Sequence, residues 1–356
     1  MNVTAGVIGC GYISSFHFPA LEKAGVRVKW VCDVSRQAAE KYLLSTGAQY
    51  TDDYRRILDD PEVNLVEVLT MSHLHKQMCL DAVAAGKNVI CEKTLTNRAD
   101  DSLEVIRAAK KKGVIFYTAF MKRYIPAVAR AKELLPKIGR IVSTHVRTYQ
   151  VYGPFGKEVW LKNPDEGYMR TPPGGVSGMK EKLGGGILPT GGSHILDLVN
   201  FFHGRPTSLY ASVVIPEGRD YDLHVAAILH TANGPVFFDN LIHPLEGIGF
   251  QRDGWDETVE ITGLDGRLEI YSAFWDKVLW KPSLLKHYDN ATKQYAEYCF
   301  PAGSPFVPEI EAYCRNIAAG VQGDPPITAG YDVDELIAHI YKSGEQRQPL
   351  DIHWRL

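Results

Sequence analysis

Val3-Thr4-Ala5-Gly6-Val7-Ile8-Gly9-Cys10-Gly11-Tyr12-Ile13-Ser14 is the stretch on which the fold turns. A short apolar run ends in two glycines one residue apart, and a helical pattern opens directly after them. That is the one context in which a G-x-G-x-x-G turn has mechanical meaning. Gly9 permits the tight turn, and Gly11 lets the backbone approach a pyrophosphate. Ser14 stands where a third glycine is usual and is small enough for close helix–strand packing. The helix opening at Tyr12 and Ile13 offers N–H groups and a partial positive charge to phosphates. Asp33 ends the next apolar run, about 20 residues on, where a carboxylate receives the adenosine ribose 2′-hydroxyl. It would repel a 2′-phosphate, so the expected cofactor is NAD, with NADP second. Arg36 would receive that phosphate if Asp33 turned away. The structural alternative for Asp33 is an N-cap before Ser35.

Outward from this turn, as far as about Thr118, short Val/Ile-rich runs alternate with segments of helical period. The runs are VTAGVIG, VRVKWVC, AQY, LVEVL, NVIC and VIFYT; the helices include Ser35 to Ser45, His75 to Ala85 and Asp100 to Lys112. This predicts a doubly wound parallel sheet, a Rossmann domain over residues 1–123. A second α/β domain is expected over 124–356, for substrate binding and oligomerisation. After a helix at Pro126 to Leu135 and a strand at Arg140 to Val151, the runs SLYASVVI, HVAAILH, PVFFDNLIH, TVEITG and RLEIY are separated mostly by turns. They predict a large, mostly antiparallel open sheet, with helices at Ser193 to Phe202, Pro308 to Val321 and Val333 to Lys342. Tyr152 to Leu183, with Trp160 and Tyr168, is too long for an ordinary connection and reads as a disordered loop or, preferably, a lid.

The chain has 356 residues and a formal net charge of -3, with no basic stripe for nucleic acid. No apolar run reaches the roughly 18 to 20 residues that cross a bilayer, and no leader pattern opens the chain, so a cytoplasmic protein is expected. The six cysteines, Cys10, Cys32, Cys79, Cys91, Cys299 and Cys314, are scattered and read as reduced thiols. His73, Cys79 and Cys91 lack metal-ligand spacing, and no metal is expected.

Glu92 and Lys93 end the NVIC run, at the strand edge where open parallel sheets hold ligands. A lysine partly desolvated beside a cationic ring has its charged form disfavoured, which suits an acid or base. The alternative is an exposed loop pair. The set formed by the glycine turn, His75, Ala85-Gly86-Lys87-Asn88-Val89-Ile90-Cys91-Glu92-Lys93, and Gly184-Gly185-Gly186-x-x-x-x-Gly191-Gly192-x-His194-x-x-Asp197 resembles the glucose–fructose oxidoreductase/inositol dehydrogenase (Gfo/Idh/MocA) family, in order and over nearly the whole chain.

The resemblance implies a Rossmann domain, a C-terminal domain with an open sheet, and dimers or tetramers packed through that sheet. It also implies hydride transfer between NAD(P) and a hydroxyl or carbonyl carbon of a sugar or cyclitol. It matches Lys93 and His194 to the catalytic pair, and the cofactor contacts would be Gly9, Gly11, Tyr12, Ile13, Asp33, Arg36, Thr70, His75, Glu92 and Lys93. Thr94 replaces the proline of the family's Glu-Lys-Pro, and Thr190 replaces an aspartate four residues before His194. Asp197 would substitute for that carboxylate or serve structurally. Arg147, Tyr149, Lys180 and Thr190 are expected substrate contacts beside His194, with Lys182 and His243 weaker. The leading activity is a dehydrogenase or reductase. A hydrolase or lyase using bound NAD as a transient hydride shuttle, and a non-catalytic NAD sensor, are the alternatives.

Overall fold

The computed structural model describes residues 3–151, 179–217, 219–272 and 281–356; the expected lid at Tyr152 to Leu183, with Trp160 and Tyr168, falls outside them up to residue 178. From the N-terminus the chain alternates β1 (Thr4–Ile8), α1 (Ser14–Lys23), β2 (Arg27–Cys32), α2 (Arg36–Thr46), β3 (Gln49–Thr51), α3 (Arg55–Asp59), β4 (Leu65–Val68), α4 (Ser72–Ala84), β5 (Asn88–Glu92), α5 (Ala99–Lys112) and β6 (Phe116–Ala119). The strands are parallel in the order β3-β2-β1-β4-β5-β6. This is the doubly wound order with its switch between β1 and β4. The strands are buried on both faces, which is why they read as unbroken apolar runs. Local chemistry sets the helix ends: α5 carries Asp100 and Asp101 in its first turn and three lysines in its last, complementing the helix dipole. The Ser35 side chain caps α2, so Asp33 does not fill that role.

The chain continues through α6 (Pro126–Leu134), β7 (Ile141–Val151), α7 (Met179–Leu183) and α8 (Ser193–His203). Strands β8 (Ser208–Val214), β9 (His224–Thr231), β10 (Gly234–His243), β11 (Asp256–Gly263), β12 (Gly266–Ser272), β13 (Leu284–Asp289) and β14 (Gln294–Cys299) follow. Then come α9 (Phe306–Ala319), α10 (Ala329–Gln346) and β15 (Leu350–Asp351). The second sheet has nine strands in the order β14-β13-β12-β11-β7-β10-β9-β8-β15, antiparallel except between β10 and β7.

Contacts divide the chain into residues 1–121, 304–334 and 356 as one unit, and 122–303 with 335–355 as the other. The first break, at 121/122, lies beside the boundary expected at 123/124, and residues 304–334 group with the first unit. Residues 304–334 return to the first unit because α9 packs on α1, stacking Phe306 on Phe16 with ring centroids 5.1 Å apart.

In the second unit, Arg123 grips Asp197 of α8 through a fork: Nε donates to Oδ2 at 2.7 Å and Nη2 to Oδ1 at 2.6 Å. Both side chains are buried. A bidentate buried pair ties the start of the unit to the helix that carries His194. Asp197→Ala would take the carboxylate from a buried guanidinium at a cost of about 3–5 kcal/mol. The expected readout is a lowered urea midpoint by tryptophan fluorescence, with Asp197→Asn falling between; a midpoint equal to wild type would show that the fork is dispensable.

Candidate active site

In the first unit the glycine turn has the geometry its sequence calls for. Gly9 sits at φ +103°, and a Cβ there would lie 2.8 Å from the Leu69 carbonyl oxygen. Above Gly11 nothing lies within 4 Å of a built Cβ, which leaves space for a phosphate beside the start of α1. Ser14 does more than save room: its hydroxyl bonds the Gly11 carbonyl and the Tyr42 hydroxyl, tying the turn to α2. Tyr12 is exposed, edge-on to Phe16 with centroids 5.7 Å apart, and Ile13 is half-buried.

The Asp33 carboxylate accepts the Cys10 amide at 2.8 Å through Oδ2 and the Ser35 amide at 2.8 Å through Oδ1. It is thereby fixed beside the turn, with further lone pairs able to accept from a ribose. Exposed Arg36 lies over the Tyr50 ring, 4.9 Å from its centroid, and the Tyr50 hydroxyl donates to the Asp33 carbonyl. The Gly9–Gly11 turn, the start of α1 and Asp33 together fit the adenosine diphosphate half of NAD.

Two of the expected cofactor contacts, His75 and Glu92, have their side chains turned inward. His75 is fully buried, its Nδ1 facing the carbonyls of Thr94 and Leu95 at 3.0 and 3.1 Å and its Nε2 facing that of Thr70 at 2.9 Å. It lies between the loops that follow β4 and β5. Burial pushes its pKa below the usual imidazole value, against the pull of the carbonyls. Glu92 also turns inward: Oε1 meets His17 Nε2 at 3.0 Å and Oε2 accepts the Lys93 amide at 3.0 Å. Lys93 itself is half-buried just past β5, and the Lys93–Thr94 peptide is cis without a proline. Thr70, just past β4, donates its hydroxyl to Met78 Sδ at 3.6 Å.

In the second unit, α8 is entered through a π-helical turn, Leu188–Gly192, a form that recurs at functional sites. The Asp222 carboxylate, fully buried, accepts the Gly186 amide at 2.7 Å, the Leu188 amide at 2.8 Å and the Tyr341 hydroxyl. Gly186 has no room for a Cβ, which would collide with the Asp222 backbone. Burial raises the Asp222 pKa above the usual carboxyl range, against these donors. Thr190 donates its hydroxyl to the Gly186 carbonyl at 2.7 Å, so toward a ligand that oxygen can only accept. His194 is half-buried at the second position of α8. Asp197 is taken up by Arg123 and serves structurally.

Arg147 and Tyr149, expected as substrate contacts, lie on the more open face of β7. On β7 the even-numbered side chains face inward, with Gln150 touching Gly191, while the odd-numbered ones face the open side of the sheet. There Arg147 pairs with Asp256 at 3.0 Å, and Tyr149 bonds Asp239, which also meets His224 at 2.8 Å. His243 lies with Tyr149, ring centroids 6.3 Å apart. Lys180 is exposed and Lys182 half-buried on α7, where the Lys180 amide donates to Asp220. Among the described residues no group of three or more His, Cys, Asp or Glu could hold a metal ion. Sequence reasoning missed His17, Glu67, Arg123, Asp222 and Glu309. The only signals were charges standing inside apolar runs, as Glu67 does in LVEV.

Residues 3–120 match the family model described as "Oxidoreductase family, NAD-binding Rossmann fold", and residues 128–269 match the GFO/IDH/MocA C-terminal domain. Levoglucosan dehydrogenase of Pseudarthrobacter phenanthrenivorans is 24% identical over 99% of this chain and 98% of its own. Inositol 2-dehydrogenase 2 of Saccharopolyspora erythraea is 34% identical over 41% of this chain and 44% of its own. The fold is that of a solved levoglucosan dehydrogenase in complex with NADH and levoglucosan, with a TM-score of 0.82 at 22% identity, covering 99% of both chains. With both of its domains matched in order, the chain belongs to the Gfo/Idh/MocA family of NAD-binding oxidoreductases.

Proposed function

We propose that this protein is an NAD-dependent dehydrogenase or reductase acting on a secondary hydroxyl or keto carbon of a sugar, cyclitol or sugar derivative. The observation that carries the reading is Lys93, set by the buried Glu92 at the carboxyl end of β5 in the same unit as the Gly9–Gly11 turn and Asp33. NAD, when bound, supplies the hydride acceptor. The turn and the start of α1 hold its pyrophosphate, and Asp33 receives its adenosine ribose. Lys93 would hydrogen-bond the reacting oxygen and take its proton in oxidation, returning it in reduction. His194, at the start of α8, is the second candidate for handling that proton. The levoglucosan and inositol relatives act on polyols rich in secondary hydroxyls, which supports this substrate class.

We further propose a cytoplasmic homodimer or homotetramer. Five of the six cysteines are buried and all six are free, as suits a reducing compartment. Burial pushes the Cys10, Cys32 and Cys314 thiols up to about 12, so they stay protonated. For assembly, the open face of the nine-stranded sheet offers an exposed row of Tyr210, Ile228, Phe237 and His145, paired strand to strand.

The direct test is absorbance of reduced nicotinamide with NAD against a panel of inositols, levoglucosan, aldoses and sugar phosphates. Reduction is expected with polyols of one class. Silence throughout with NAD still bound would replace this reading with a hydride shuttle or a sensor. Lys93→Met is expected to lower kcat by about 10²–10⁴-fold while NADH binding holds; an unchanged rate would remove Lys93 from the chemistry. For assembly, light scattering should find an oligomer that Ile228→Glu breaks into monomers. A monomeric wild type, or an unaffected variant, would refute the sheet interface.

A further inference from the structure

Beneath the Lys93 loop, the first unit buries a cluster of ionisable side chains that the proposed chemistry does not use. His17 of α1, Glu67 of β4 and Glu309 of α9 are fully buried, and Glu92 of β5 is nearly so. His17 Nε2 lies 3.0 Å from Glu92 Oε1 and its Nδ1 lies 3.6 Å from Glu67 Oε2, while its ring is edge-on to Phe306 at 5.4 Å. Glu309 receives the Tyr313 hydroxyl at 3.1 Å. Among the described residues neither Glu67 oxygen accepts a hydrogen bond, and the cation that faces it is His17 at 3.6 Å.

An isolated buried carboxylate is costly, and such groups persist where a cation answers them. A neutral imidazole has one N–H and would serve one carboxylate, whereas the protonated ring points an N–H at each. Burial opposes that charge, but the negative charges of Glu67 and Glu92 and the hydrogen bond to Glu92 outweigh it and push the His17 pKa up to about 10. Burial lifts Glu309 well above the usual carboxyl range. The result is an imidazolium between two carboxylates, one of which has its other oxygen on the Lys93 amide.

We propose that His17 is a positioning residue: by bridging Glu67 and Glu92, it fixes the carboxylate that receives the Lys93 amide and so sets how the Lys93 side chain is presented. The inference rests on the reading of Lys93 as the group that handles the substrate proton. It explains why Glu92 faces inward: as an anchor under the loop, it acts at one remove from the ligand. Misplacing a reacting group by about 1 Å costs about 10²-fold in rate. The loss should fall on kcat rather than on cofactor affinity, since the Asp33 and Gly9–Gly11 contacts are separate from the cluster.

The test compares His17→Leu, which fills space without a donor, with His17→Gln, whose amide can still donate to Glu92. Amide hydrogen exchange of the Lys93 loop, read without cofactor or substrate, should be about tenfold faster in His17→Leu and largely restored in His17→Gln, with the rest of the domain as protected as in wild type. With the panel sugar that is turned over, kcat should fall about 10²-fold in His17→Leu at unchanged KM and NADH affinity, with partial rescue in His17→Gln. Unchanged loop exchange in a folded His17→Leu, or equal behaviour of the two variants, would overturn the inference. A His17 ring that is neutral by NMR at about pH 8 would overturn it too. Failure of the underlying reading looks different: Lys93→Met would keep its rate, whereas failure of the positioning role alone leaves Lys93→Met inactive and His17→Leu at the wild-type rate.

Discussion

The Asp33 carboxylate, held at 2.8 Å by the Cys10 amide and at 2.8 Å by the Ser35 amide, is the contact on which the ligand edge of the first unit depends. It joins the turn after β1 to the end of β2, so that phosphate-binding and ribose-binding elements form one piece. Parallel strands all end on the same edge, and whatever follows them must satisfy its own backbone there. The chain meets this with side-chain-to-backbone contacts: Ser14 on Gly11, Asp33 on Cys10, His75 against the carbonyls of Thr70, Thr94 and Leu95, and Glu92 on Lys93.

The second unit uses the same device. Asp222 gathers the amides of Gly186 and Leu188 under a glycine turn just as Asp33 gathers that of Cys10, and the turn leads into a helix carrying a functional candidate. Each carboxylate acts through backbone N–H groups, which hold a loop more rigidly than contacts between flexible side chains. Arg123 and Asp197 then secure α8 one turn further on. Thr190 fits this picture as a small brace on Gly186 in place of a charge.

The fold was readable because apolar periodicity is its cause: buried parallel strands must be unbroken apolar runs, and β1 to β6 lie where those runs predict. The strands β13, β14 and β15 were missed; β14, at the sheet edge, is mostly exposed and carries little period-two signal, and β15 is only two residues long. The return of α9 to the first unit is a long-range packing event that no linear boundary expresses. At the site, residue types at motif positions were readable, but side-chain direction was not. Alternation shows that Arg147 and Tyr149 share a face and cannot tell which face is covered. His75 and Glu92 stand in motif positions yet point inward, and His17 looks from sequence like one more residue on a helix.

The measurement that goes most directly to the central claim is a side-by-side titration of NADH and NADPH by fluorescence. If Asp33 receives the ribose, NADH gains a charge-assisted hydrogen bond worth about 1.5–3 kcal/mol, while the 2′-phosphate of NADPH meets a fixed negative charge. The account predicts NADH binding tighter by about 10- to 100-fold, a gap that closes in Asp33→Ala. Equal affinities in the wild type, or tighter NADPH, would contradict it and pass the recognition to Arg36.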